Sequence, residues 1–493
     1  MIPSIFPHRR LRTGLAAAGL LAAACPALAR DRDAPPQVAL PAAFAGAPSG
    51  APLAPAALDQ WWRLFHDPTL DALEDEAFRV SPDARTAQAR ILEARATRRG
   101  QIAGTLPSGG VSANLSHQAI YGPGAASDLS TSTGVVNEAQ GGFDISWEID
   151  LFGRLAARRR IARAADAEAR FDVEGTRAAL AAAVADAWFQ AQGLAIELAD
   201  AQATVRIEHG LLDIAQRKSA AGAGPDDAID RVAAEAQADE ARVVDLDAQL
   251  DDARRQLLIL VGRDLTRLAD LKVDGQPPAV PPAPAALPAQ LLARRPDVRE
   301  AEYHLRAQLG AATLAHRAIF PTITLLPALG GSSIAAPGVS FIPPSTIVSQ
   351  QQTTTTGFWT LAAGVSMPIL DIPRLLDEAH AQDARSRQAA IAYEKTVRTA
   401  FGEAQDALVD LSAGERASAL LASSETHARL AYDASRRRYG EGLDDLTATL
   451  TAEQSWRTIR SSLTAERVDT LRRAVRTYKA LGGGWAYGAQ AVG

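Results

Sequence analysis

The side chains able to do chemistry are few, and their spacing does not suit catalysis. The histidines (His8, His66, His117, His209, His304, His316, His380, His427) are scattered, with no pair at metal-ligand spacing, and Cys25 is the only cysteine. The sequence contains no nucleophile elbow and no phosphate-binding loop. Gly482-Gly483-Gly484 lacks a following Lys-Ser/Thr and reads as a helix terminator. The expectation is no enzyme, no metal and no cofactor. One pattern remains, because carboxylates gather at two glycine breaks. Asp226, Asp227 and Asp230 follow Gly224-Pro225; Asp444 and Asp445 follow Gly442, just after Arg436, Arg437 and Arg438. Acids at a helix start cap free N–H groups and complement the dipole. Repeated around an oligomer axis, the same acids form a ring that binds cations and pairs with the arginines. Both readings stay open at this point.

The start of the chain carries a different chemistry. Arg9, Arg10 and Arg12 precede a short apolar run over residues 14–24, a signal-peptide pattern. Two cleavage readings compete. Leu21-Ala22-Ala23-Ala24-Cys25 resembles a bacterial lipoprotein signal, which would remove 1–24 and acylate Cys25, although its leucine falls one residue early and Pro26 follows. Ala27-Leu28-Ala29 fits ordinary signal peptidase, which would remove 1–29. No later run of about 20 apolar residues occurs, so no transmembrane helix is expected. A net charge of −6 and a pI near 5.8 argue against nucleic acid as a partner.

The acidic breaks must be positioned by the elements around them. Residues 154–221 carry a heptad seam. Leu180, Ala187, Leu194 and Ala201 form one row, and Val184, Ala191, Leu198, Val205 and Leu212 form a second. This predicts one helix packed along its whole length, roughly 100 Å at 1.5 Å per residue. It is followed by a helix over 226–261. Residues 30–57, rich in proline and alanine, read as an extended tether. Period-two alternation predicts strands over 109–121 and 141–151. The latter sets Phe143, Trp147, Ile149 and Leu151 against Asp144, Ser146, Glu148 and Asp150, which fits either a core strand or one with lipid on one side and water on the other. A proline-rich connector over 277–288 follows, and the programme then repeats. Pro82 to Pro107 and Pro296 to Pro321 are both 25 apart. Strands are predicted over 322–330 and 358–369, with a loop holding Pro343-Pro344 and residues 350–356. Long helices are predicted over 374–439 and 443–481. An offset of 214–220 residues maps repeat 1 (58–276) onto repeat 2 (289–485), leaving a tail over 486–493.

Four strands cannot close a membrane barrel, whose smallest members have about eight, and an open sheet in lipid leaves its edges unpaired. Three chains supply twelve strands and twelve long helical segments. The expected fold is mainly α with a membrane β-barrel portion: α-helical hairpins forming a tunnel, and a trimer sharing a 12-stranded barrel. Tyr121, Phe143, Trp147, Phe358 and Trp359 are candidates for its aromatic girdle.

Several stretches carry a family resemblance. They are Trp62-Arg63-Leu64-Phe65-His66-Asp67-Pro68, Trp147-Glu148-Ile149-Asp150-Leu151-Phe152-Gly153-Arg154, Arg294-Arg295-Pro296-Asp297, Ala318-Ile319-Phe320-Pro321, Arg438-Tyr439-Gly440-Glu441-Gly442 and the segment from Lys479 to Trp485. In combination the chain resembles the TolC-like outer-membrane factors, particularly their efflux lipoprotein branch. It departs at Ile372-Pro373-Arg374, where glycine is usual before the arginine. The resemblance implies a homotrimer in the outer membrane, extending into the periplasm. It would dock to an inner-membrane pump through a periplasmic adaptor and pass drugs or small molecules outward. The resemblance also sets the second-hairpin acids, Asp444 and Asp445, at a periplasmic gate. An exit duct for protein or peptide secretion is the alternative on the same scaffold. A periplasmic coiled-coil scaffold or adaptor is the alternative of another class.

Overall fold

The computed structural model describes residues 36, 38–41, 43–44, 58–120, 134–221, 227–273, 277–282, 294–342 and 346–485. Cys25, Tyr121 and Asp226 lie outside the described residues. The described helices and strands are α1 (Pro68–Val80), α2 (Pro82–Ala103), β1 (Ser108–Ile120), β2 (Gly134–Ile149), α3 (Arg154–Ala220), α4 (Asp227–Val261), α5 (Pro296–Arg317), β3 (Thr322–Ile342), β4 (Thr346–Ser366), α6 (Ile372–Gly440) and α7 (Leu446–Ala480). The order helix, strand, strand, long helix, helix occurs twice. Corresponding helices also match in length: α2 and α5 have 22 residues, α4 and α7 have 35, and α3 and α6 have 67 and 69. The residues fall in two compact units, one drawing on 97–164 and 304–390, the other on 37–96, 165–303 and the chain from 391.

The first unit holds a wholly antiparallel sheet in the order β1-β2-β3-β4. β1 has the expected length, and the other three strands are longer than alternation predicts. β2 begins at Gly134, seven residues before the expected start, and β3 and β4 pair from Ile342↔Thr346 down to Thr322↔Ser366. Residues 350–356, expected in a loop, are therefore strand. Apolar alternation fades there, but the threonines favour extended backbone and every residue has a ladder partner in β3.

The turn from β2 into α3 accounts for the Trp147-to-Arg154 motif. Asp150 accepts from the N–H groups of Leu155 (3.0 Å) and Ala156 (2.7 Å), satisfying the first turn of α3. Arg154 forks onto Glu148 at 2.9 and 2.7 Å. Gly153 adopts φ +74°, and Arg317 Nη1 donates to its carbonyl at 2.5 Å. Phe152 stacks on Phe320 of the second repeat's motif, with centroids 5.1 Å apart.

The second unit is held by a core in which Trp61, Trp188, Phe189 and Tyr478 are buried. Trp61 stacks on Tyr478 at 5.7 Å. Asp67 caps α1 through Thr69 and Leu70 and also accepts from Trp188 Nε1 at 2.7 Å. Gly483 lies so close to Trp61 that a Cβ there would be 2.8 Å from the ring, so this glycine run serves packing. The tether reading needs correction. Phe44 is buried, stacks on Phe401 at 5.1 Å, and joins Val298, Val397 and Leu408 with Val38 and Leu40 against them. Three isolated apolar residues among prolines and alanines carry no periodicity, yet they dock that segment. The connector docks as well, since Tyr478 donates its hydroxyl to the Pro282 carbonyl at 3.0 Å. α3 contains one stretch apolar enough by composition to cross a bilayer, but most of it is buried against other parts of the chain.

Candidate functional site

The first candidate surface is the sheet. Pairing registers put Val111, Phe143, Leu329 and Trp359 in one cross-strand row. The next rows on that face carry Ile145, Leu361 and Pro327, then Trp147, Leu325 and Ala363, then Ile149, Ile323 and Val365. Val111 is 84% exposed, Trp359 78% and Val365 71%. The opposite face carries Ser112, Asn114, Ser116, Glu138, Gln140, Asp144, Ser332, Thr354 and Thr356. One face of this sheet is apolar and uncovered along these rows, the other is mainly polar although it also carries Leu326 and Ile334, and among the described residues β1 and β4 each have a single partner strand. Of the girdle candidates, Phe143 and Trp359 share a row, and Trp147 shares their face four residues further along β2. Phe358 does not join them. As the neighbour of Trp359 it points to the polar face, where its ring lies over Gly330, 2.8 Å from where a Cβ would be.

The second candidate is the pair of breaks in the long helices. Asp445 is the N-cap of α7, accepting from Ala448 N–H at 2.7 Å. Asp444 ties α6 to the turn: its Oδ2 accepts from Ser435 Oγ at 3.2 Å and from Arg438 Nη2 at 3.1 Å. At the other break Asp227 pairs with Arg231 at 2.9 Å, and Arg231 also reaches Thr447 Oγ1 at 3.3 Å. Asp230 is exposed. The structure adds Lys218, which belongs to no motif, and gives a contact to Tyr439 of the Arg438-to-Gly442 stretch. Lys218 donates to the Tyr439 carbonyl at 3.0 Å and sits 3.7 Å from its ring centroid, so the ends of α3 and α6 are joined. Leu211, Val232, Tyr439 and Leu450 form a small buried cluster behind them, and burial pushes the Tyr439 hydroxyl pKa up. The carboxylates here serve as caps and clamps. Among the described residues no group of three His, Cys, Asp or Glu side chains is placed to hold a metal ion.

The sheet concentrates its exposed large apolar side chains on one face, the arrangement of a strand with an apolar medium on one side and water on the other. Residues 73–263 and 287–483 match the outer membrane efflux protein family, and the chain belongs to that family. It is an efflux and transport protein of the outer membrane, and the family is not one of enzymes. The chain is 27% identical over 431 residues to the pyoverdine export outer membrane protein OpmQ of Pseudomonas putida, covering 86% of this chain and 88% of that one. It is 29% identical over 436 residues to the toluene efflux pump outer membrane protein TtgF of Pseudomonas putida, covering 86% and 85%. The outer-membrane channel OprN superposes with a TM-score of 0.75 at 26% identity, covering 92% of this chain and 99% of that one.

Proposed function

We propose that this chain is the outer-membrane exit duct of a tripartite efflux system, passively conducting drugs or other small molecules from the periplasm to the exterior. Three copies share one 12-stranded barrel, and their twelve long helices close a tunnel. A periplasmic adaptor and an inner-membrane pump are its partners. The observation that carries this reading is the two-faced sheet with two open edges. Its apolar face needs lipid, its polar face needs water, and its edges need the strands of another copy. The matched order and lengths of the helices in the two halves support an internal duplication, which gives the trimer quasi-sixfold material for a tube. Small molecules are favoured as cargo over protein because OpmQ and TtgF are named for pyoverdine and toluene. The signal segment is consistent with export, and acylation of Cys25 would add a lipid anchor.

The gate is assigned to the second-hairpin turn. Asp444 and Arg438 hold α6 to the turn within each chain, and three copies of the turn carry Asp444 and Asp445 around the tunnel mouth. In planar bilayers the purified protein is expected to give discrete single-channel steps, with larger conductance in the Asp444→Ala/Asp445→Ala variant. Protein that inserts but conducts nothing defeats the duct reading. Channels whose conductance is unchanged by the double substitution defeat the gate assignment alone.

A further inference from the structure

The long helices of the second unit also meet around acids that the breaks do not use. Glu208 on α3 is 0% exposed and Glu453 on α7 is 1% exposed. Among the described residues neither Glu453 oxygen has a hydrogen-bond partner, nor does Glu208 Oε2, nor Asp239 Oδ2 on α4. Arg457 on α7 reaches into this group, 3.2 Å from Glu208 Oε1 and 2.5 Å from Asp239 Oδ1. α6 contributes Tyr432, buried and stacked on Trp456 with centroids 5.3 Å apart, its hydroxyl also unpartnered. Glu235 faces the same group from α4, while Asp433 and Arg436 face Tyr432 from α6. Four carboxyl groups therefore gather on one guanidinium.

On one side Glu208 and Asp239 line a cavity of about 520 Å³. Its remaining charges are Glu197 and Asp200 from α3, Arg242 from α4 and Arg460 from α7, and Arg460 is taken up by Asp200 at 2.9 Å. An ionised carboxylate buried without donors is costly, whereas a protonated one costs far less and can itself donate.

We propose that Glu208 and Glu453 form a proton-binding site at the junction of α3, α4, α6 and α7, whose occupancy holds these four helices together. The cavity gives protons a route to Glu208. Burial, then the Glu235 charge, pushes the Glu208 pKa up to about 7. Burial, then the Glu208 charge, pushes that of Glu453 up to about 8. Burial likewise raises Tyr432, to about 12, so its phenol stays neutral throughout. Both glutamates stand above their unfolded value of 4.5. Their contribution to stability is therefore fully present below that value and is lost as pH rises through about 7 and then about 8. The site lies within one chain and does not depend on conduction.

The test uses the full-length protein in detergent, comparing about pH 6 with about pH 9. The apparent melting temperature of the wild type should fall by several degrees between the two. Infrared difference spectra should show the carbonyl stretch of a protonated carboxylic acid at the lower pH and its loss at the higher. The Glu208→Gln/Glu453→Gln variant should lose the part of that band belonging to this site, leaving the share of Glu74 on α1, whose burial also pushes its carboxyl well above the usual range; its melting temperature should differ less between the two pH values and exceed the wild type at the higher. A wild type with no acid band near pH 6 overturns the proposal even if the variant fails to fold. So does a variant that keeps the full pH slope. Stabilisation by added magnesium or calcium near pH 9, equal to that produced by acid, would make this a metal site and overturn it too.

Discussion

Gly153 shows how much of the recognisable sequence is local physical chemistry. At φ +74° its backbone is in the left-handed region that side chains avoid. A Cβ there would sit 2.6 Å from Arg317 Nη1, the atom that bonds the Gly153 carbonyl. Gly153→Ala is expected to cost about 1–3 kcal/mol, read as a lower melting temperature. Gly110→Ala in β1, with open space around its Cβ, is the control and should melt close to the wild type. Single residues were unevenly legible. The Asp445 cap follows from an aspartate three residues before a helical N–H, a pattern visible in the chain itself. The buried acids were within reach as well. The heptad row Leu180, Ala187, Leu194, Ala201 continues by one more step of seven to Glu208, a carboxylate in an apolar seam. Glu453 carries a similar signal, one step of seven after Leu446 and three residues from both Leu450 and Trp456, but that it meets Glu208 depends on helices far apart in sequence.

Among the elements, the long helices were clear because their seams repeat for many turns, and the strands were clear only where side chains alternate strongly. β4 residues 350–356 were missed because a polar run is extended here by pairing with β3, a nonlocal cause. The docking of Phe44 was missed for the same kind of reason, since its partners lie beyond residue 297. The two faces of the sheet make a sharp prediction at this scale. Leu329→Arg places a charge on the apolar face and should cost about 2–4 kcal/mol of insertion near the bilayer midplane, falling toward the interfaces. Ser332→Arg, three residues along the same strand, falls on the polar face and should be tolerated. Assembled protein in outer-membrane fractions checks this: depletion of the first variant alone is expected, and equal behaviour of both would mean the faces are misassigned.

For the whole molecule, the single chain leaves its own requirements unmet. Among the described residues its apolar sheet face is bare, and β1 and β4 end the sheet without neighbours. Nothing among the described residues covers the row of Val111, Phe143, Leu329 and Trp359 to the extent that a soluble protein requires. The order of elements could be read from the sequence. The proposed number of copies rests only on adding strand closure to that order, because oligomers are specified by edges rather than by motifs. Proteins with free sheet edges in lipid must close them, and a ring of copies does so by joining β1 of one to β4 of the next. Cys25 is the only cysteine, so the unsubstituted chain is the control against which introduced cysteines are read. The decisive measurement is oxidative cross-linking, in intact outer membranes, of chains carrying Asn114→Cys on β1 together with a cysteine scanned along β4 from Thr353→Cys to Thr360→Cys. At the matching register, denaturing gels should show a covalently closed trimer and no larger ladder. Chains that stay monomeric at every register, or close as dimers, would contradict a barrel shared by three.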